Sequence, residues 1–369
     1  MSYFAPSSPT TTNIPTLNVN QALLLPKLRA GIARVRAGTG SCRFGMIGDS
    51  TTRGHGALGN PNTGNYNYAV AAYLSRMFGG LPQINAHNNS AYGYVSLTTD
   101  ARLTATGSFS TGTGGNSLGG AMFLANAAGK LSFTPTVNTD TVEVYYYQGI
   151  AGSFTLDTNG GTATTTTIPT TPAQMQTAVI ATGAAAAANT YNLNWVSGSN
   201  FICGVRAYDS SKKWLEFDNW GFEGSQTVNW ISAGAAYNPI NAAVAIAPEV
   251  ISICLGINDW DNGISVATYT ANVQALITAA QATSDVILIS PNPSQPGFVA
   301  GTPSIAGQQT YVTALASLAA SNNALFIDNF SRWVSYASSN ALGYNFDGLH
   351  PNSVGYEDLA VSIFDSIRP

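Results

Sequence analysis

Three apolar runs in the C-terminal third constrain the fold more than any other feature. They are "PEVISICLGIND" (Pro248–Asp259), "DVILISPNP" (Asp285–Pro293) and "ALFID" (Ala324–Asp328). Each is continuously apolar rather than alternating, so each reads as a strand buried on both faces. Helical spacing follows each one, over Val266–Thr283, Ile305–Ala320 and Ser353–Ile367. A fourth run, "FGMI" (Phe44–Ile47), lies far upstream. Helical segments flank it at Gln21–Val35 and Tyr66–Phe78. Apolar strands alternating with helices predict a doubly wound α/β domain, a parallel sheet covered on both faces.

The segment between these two parts has a different character. From Ser90 to Phe217 the chain is rich in Gly, Thr and Ser and shows period-two runs. "TVEVYYYQG" alternates as a strand does, and "GSFTLDTNGG" ends in an Asn-Gly turn. "YNLNWV" and "FICGVRAY" continue the pattern. The expectation is an inserted β-sandwich of short strands. The domain plan is therefore an extended arm over 1–20, a first core part over 21–89, the insertion over 90–217 and a second core part over 218–369. The arm rests on the Pro/Ser/Thr/Asn-rich start.

Composition narrows the function classes. Charged residues make up only 9% of the chain and the net charge is −4. With no basic run, nucleic-acid binding has no support. Such an uncharged surface suits work outside the cytoplasm or on glycans. The start of the chain shows no signal-peptide pattern. Three routes stay open: a signal already removed, another export route, or a cytoplasmic protein. No apolar stretch reaches the length of a membrane span. Three cysteines, Cys42, Cys203 and Cys254, make no disulfide framework and read as buried thiols. Nothing in the sequence fixes the oligomeric state.

In an open parallel sheet, ligands sit beyond the carboxyl ends of the strands. Ser50, in "GDS" after "FGMI", falls there, and so does Asn258 after "VISICLGI". A serine hydroxyl needs a base to take its proton, and the base needs a third group to fix its ring. Asp347 and His350, three residues apart in "DGLHP", can supply both from one loop.

Taken together, "GDS", "GIND" and "DGLHP", in that order, resemble the motifs of the SGNH, or GDSL-type, hydrolases. "NWGFEGSQT" (Asn219–Thr227) resembles the family's glycine block, with Gly224 as the matching glycine. The resemblance covers roughly Gly31–Phe78 and Asn219–Pro369 and leaves out the insertion. It implies a flavodoxin-like three-layer core and a serine esterase working through an acyl-enzyme without a cofactor. Ser50 is then the nucleophile, His350 the base and Asp347 its orienter. The backbone N–H groups of Ser50 and Gly224 and the side-chain amide of Asn258 form the oxyanion hole.

Other features take blander or secondary readings. "GNSLG" (Gly115–Gly119) has the spacing of a nucleophile elbow but lacks the strand before it and the helix after it. "GHGALG" (Gly54–Gly59) starts too late after its strand for a dinucleotide loop. The three histidines, His55, His87 and His350, are scattered, so no metal site is expected. Arg53 is a candidate for the pocket rim, and Trp260 for a surface on which a sugar ring stacks.

The insertion is aromatic and Asn/Thr-rich and offers no apolar helix as a lid. It favours removal of O-acetyl groups from a polysaccharide, as in some secreted and phage tail-associated acetylesterases. The partners expected are thus an acylated glycan or a small ester. A lipase or general short-chain esterase is the alternative. A reading from another class is a non-catalytic glycan-binding or structural virion protein, which the complete set Ser50, Asp347 and His350 argues against.

Overall fold

A computed structural model describes residues 24–57, 69–93, 100–232, 234–298 and 305–369. The arm expected over 1–20 lies outside these residues. In chain order the strands are β1 (Cys42–Gly48), β2 (Asn85–His87), β3 (Ser90–Tyr92), β4 (Leu103–Ser117), β5 (Gly120–Phe133), β6 (Thr141–Gln148), β7 (Gly152–Thr158) and β8 (Thr164–Ile168). They continue with β9 (Gln174–Ala181), β10 (Tyr191–Gly198), β11 (Asn200–Tyr208), β12 (Trp214–Asn219), β13 (Val250–Cys254), β14 (Asp285–Ile289) and β15 (Leu325–Ile327).

Six strands form the core sheet in the order β15-β14-β13-β1-β12-β2, every pair parallel. Edge strand β2 aside, the order is that of a flavodoxin-like sheet, with its switch point between β1 and β13. Side chains alternate between two apolar layers. Phe44, Met46, Ile287 and Ile289 face the helices Pro26–Arg36, Val70–Gly79 and Ser353–Ile367. Ile47, Ile251, Ile253, Val286 and Leu288 face the opposite layer, which holds Val266–Gln281 and Ile305–Ser321. Burial on both faces explains why these strands read as continuous apolar runs.

The inserted β region differs from the sequence expectation in two respects. First, its nine strands join in one antiparallel sheet, ordered β8-β7-β10-β5-β11-β6-β9 with β3 on β11 and β4 on β5, and not in two separate sheets. The long β5 makes this possible. Its first half pairs β11 at Phe123–Ala125 and its last residues pair β10 at Lys130–Phe133. The sheet rolls over a core of its own, so Tyr146 on β6 meets Phe154 on β7, 5.6 Å between ring centroids, across three intervening strands. A rolled sheet and a sandwich share the same period-two pattern, so periodicity could not separate them. Second, Trp214–Phe217, assigned to the insertion, belongs to β12 of the core sheet. The buried acids Glu216 and Asp218 interrupt the apolar run there and imitate the alternation of a half-exposed strand.

Those acids lie in a charged seam between the two sheets. Arg43 on β1 donates to Tyr145 Oη on β6 at 2.6 Å and lies 3.2 Å from Asp218. Arg206 on β11 donates to Glu143 on β6 and to Glu216 on β12, each at 2.9 Å. Ser90 and Tyr92 on β3 also donate to Asp218. Breaking a buried charge cluster leaves ions unpaired in low dielectric. The seam therefore fixes the inserted sheet on the core and argues against a swinging module.

Candidate active site

Ser50 opens a four-residue helical turn, Ser50–Arg53, directly after β1. Asp49 caps it, its side chain accepting from Thr51 N–H at 2.9 Å. The first N–H groups of a helix have no intrahelical acceptor, so the Ser50 N–H is left pointing out of the turn. Here the turn stands at the switch point of the sheet, beside the end of β13.

His350 and Asp347 reach Ser50 from the far end of the chain. An antiparallel bridge between Asn345 and Pro351 closes their loop. Asp347 Oδ1 accepts from the backbone N–H of Leu349 at 2.7 Å and of His350 at 2.6 Å, an Asx-type turn. Asn352 then caps the helix Ser353–Ile367, accepting from Val354 and Gly355 N–H. Tyr356 on that helix donates to the carbonyl of His55 at 2.6 Å, tying the helix to the Ser50 turn. The result is one continuous chain of contacts. His350 Nε2 lies 3.0 Å from Ser50 Oγ, and His350 Nδ1 lies 2.9 Å from Asp347 Oδ2. Burial pushes the Asp347 carboxyl upward, but the hydrogen bonds from the His350 ring and the two N–H groups outweigh it. They hold the carboxyl at about 2. Asp347 is therefore an anion across the neutral range, able to hold an imidazolium opposite Ser50.

The glycine block and Asn258 close the other side. Phe222 N–H and Ser225 Oγ both donate to the carbonyl of Gly48, at 3.1 and 3.2 Å, which brings this loop beside Ser50. Between them Gly224 takes a left-handed backbone, φ +70°, which a side chain adopts only with strain. Asn258 Nδ2 donates to the Ser225 carbonyl at 3.0 Å. One amide hydrogen of Asn258 thus braces the loop, and the other is available to a ligand. Asp259 accepts from Thr227 N–H and Oγ and so braces the same loop from below.

Two expectations need correction. Trp260 is only 2% exposed and belongs to the core layer under β13, so no sugar can stack on it. Its place in a short helix, Ile257–Asp261, turns the ring inward. Arg53 does not stand on an open rim. It is buried, and its guanidinium pairs with Glu223 at 3.1 Å. Glu223 went unnoticed in the sequence although it directly precedes Gly224. It also accepts from His55 Nδ1 at 3.0 Å, and the His55 ring lies against His350 with centroids 4.0 Å apart. His55, Asp347 and His350 offer donor atoms within 4.8 Å of one another, a spacing that a metal ion can bridge. The nucleophile-elbow decoy resolves cleanly. Ser117 is buried at the β4–β5 hairpin, with its Oγ 3.2 Å from Cys203 Sγ.

Asp49 adds a pH dependence. Burial pushes its carboxyl up to about 7, the hydrogen bonds from Thr51 oppose this, and the charge of Asp259 adds to it. The folded chain holds a proton that the unfolded chain releases near 3.8. The unfolded state binds fewer protons in that window, so stability falls as pH rises from about 4 to about 7 and then levels off. Asp49→Asn, which keeps the cap, should flatten that fall by on the order of a few kcal/mol. Urea midpoints of both proteins from pH 4 to 8 measure it. Parallel curves would mean that Asp49 is ionised in the native state.

A Ser–His–Asp contact chain at the switch point of a flavodoxin-like sheet is an arrangement suited to carboxylic-ester hydrolysis. Residues 203–357 match the GDSL-like Lipase/Acylhydrolase family, a stretch that includes Gly224, Asn258, Asp347 and His350, and the match supports an esterase of the SGNH, or GDSL, type. Among solved structures, one described as "Peptidoglycan O-acetylesterase in action" superposes with a TM-score of 0.72 at 16% identity, covering 92% of this chain and 94% of that one. At this identity the likeness is one of fold, and its coverage takes in the inserted sheet. An acetyl xylan esterase, AlAXEase, matches at 18% identity over 42% of this chain and 81% of its own, TM-score 0.36. A lipase/acylhydrolase from Enterococcus faecalis matches at 24% identity over 42% and 76%, TM-score 0.36. No curated protein matches the chain in sequence.

Proposed function

We propose that this esterase removes O-acetyl groups from a glycan through an acyl-enzyme on Ser50. The observation that carries the reading is the unbroken contact chain from Ser50 Oγ through His350 to Asp347. His350 Nε2 takes the hydroxyl proton as Ser50 Oγ attacks the ester carbonyl. The developing oxyanion meets the N–H groups of Ser50 and Gly224 and the free amide hydrogen of Asn258. His350 returns the proton to the leaving sugar oxygen, and water, deprotonated by the same ring, releases acetate. No cofactor takes part in this scheme.

Two observations support the glycan and the short acyl group. The fold likeness to a peptidoglycan O-acetylesterase runs through both sheets. The described part of the insertion, 100–208, consists of strands and turns and contributes no helical lid for a long acyl chain. Acetate release from O-acetylated xylan, pectin and peptidoglycan, beside p-nitrophenyl esters from acetyl to octanoyl, tests the reading. Release from at least one glycan is expected, with turnover falling roughly tenfold or more between acetyl and octanoyl. A preference for octanoyl would make the protein a lipase. Fast p-nitrophenyl acetate turnover without release from any glycan would leave a general short-chain esterase.

A further inference from the structure

Beside the triad loop stands a feature that the catalytic scheme does not use. After β14 the chain runs "SPNPSQPGF", residues 290–298. Gln295-Pro296-Gly297-Phe298 forms a tight turn: Phe298 N–H donates to the Gln295 carbonyl at 3.2 Å, and Gly297 has φ +71°. Proline second and a left-handed glycine third are the signature of a type II turn. The turn is fastened to the triad loop. Gln295 N–H donates to the Gly348 carbonyl at 2.6 Å, and Asn292 Nδ2 donates to the Leu349 carbonyl at 3.0 Å.

This arrangement lays the Phe298 ring on Gly348. A Cβ at position 348 would come 2.1 Å from Phe298 Cδ2 and 2.8 Å from Gln295 Oε1, so only glycine admits them there. The ring nevertheless remains 44% exposed, and Gln295 is exposed as well. A core phenylalanine would be covered, and a surface turn has no need of one. Gly348 is two residues from His350, so their Cα atoms are at most about 7.6 Å apart. Phe298 on Gly348 and Ser50 Oγ on His350 Nε2 therefore flank the same short stretch of loop.

The geometry points to a sugar-ring subsite made by Phe298 and Gln295, an inference that rests on the glycan reading above. The aromatic face receives the C–H face of a pyranose, and the Gln295 amide, donor and acceptor at once, meets its hydroxyls. Phe298 is the exposed aromatic that Trp260 is not.

Phe298→Ala and Phe298→Trp test it with two substrates. One is the O-acetylated oligosaccharide that the parent hydrolyses fastest among xylan, pectin and peptidoglycan fragments. The other is ethyl acetate, which has no ring to stack. Phe298→Ala should raise KM for the oligosaccharide roughly 3–10-fold with little change in kcat. It should leave kcat/KM for ethyl acetate unchanged, and Phe298→Trp should restore the oligosaccharide KM. An equal loss on both substrates would make Phe298 a support of the triad loop and overturn the inference. So would an unchanged oligosaccharide KM. A parent enzyme that hydrolyses ethyl acetate but no oligosaccharide would sink the glycan reading itself, and the subsite with it. That outcome is visible before any substitution is made.

Discussion

Ser50→Ala should lower kcat for p-nitrophenyl acetate by roughly 10⁶-fold, with the fold intact. The size follows from what the side chain does. The attacking oxygen is the group to which His350 Nε2 is hydrogen bonded at 3.0 Å, and alanine leaves that ring with nothing to deprotonate. Residual turnover would come from water attacking an ester held in the oxyanion hole. The fold should survive because the change removes one small oxygen from the start of a turn whose cap is the neighbouring Asp49 side chain. Ser117→Ala is the matched control. Its hydroxyl is buried against Cys203 Sγ in the β4–β5 hairpin, and no imidazole is among its contacts. Loss of turnover in the Ser117 variant but not in the Ser50 variant would move the active site to that hairpin. Circular dichroism and thermal midpoints of both variants separate lost chemistry from lost structure.

Much of this was legible in the sequence, for physical reasons that differ from place to place. The parallel sheet was readable because strands buried on both faces carry mostly apolar residues, so β13 and β14 stand out as near-continuous apolar runs. Ser50, Asn258, Asp347 and His350 stood out because the chemistry proposed for them fixes the residue type; the ends of β1 and β13 position the first two, and the turn before the last helix positions the other two. The rolled sheet was not readable, since hydrogen-bond partners between strands leave no mark on alternation. β12 was misassigned because its two buried acids, satisfied by Arg43 on β1 and Arg206 on β11, break the apolar run that marks the other core strands. Trp260 failed as a ligand surface for a similar reason. Its neighbours in sequence are site residues, yet one turn of helix sends its ring into the core. Glu223 and Phe298 had weak signals, an acid beside the glycine of an oxyanion loop and an aromatic ending a Pro-Gly turn. Their meaning depends on what they touch, His55 and Gly348, which lie far away in sequence.

The second large effect is expected at Asp347, where this loop leaves an asparagine little choice. Both carboxylate oxygens are committed. Oδ1 accepts two backbone N–H groups, from Leu349 and His350, and Oδ2 faces His350 Nδ1. In Asp347→Asn the amide oxygen must take the Oδ1 place, because an NH₂ group there would confront two donors. The NH₂ then points at His350 Nδ1 and donates to it. Nδ1 can no longer carry the ring proton, which moves to Nε2, so the ring cannot accept from Ser50. The expected loss in kcat is about 10⁴-fold, as in triads where the same change enforces the wrong tautomer. KM should change little, since the substitution alters neither the oxyanion donors nor the acyl site. Because the parent carboxyl is held at about 2, its protonation cannot produce an acid limb in the activity profile near neutrality. A loss of less than about tenfold would mean that the ring is held by another contact, and the adjoining His55 ring is the group to substitute next.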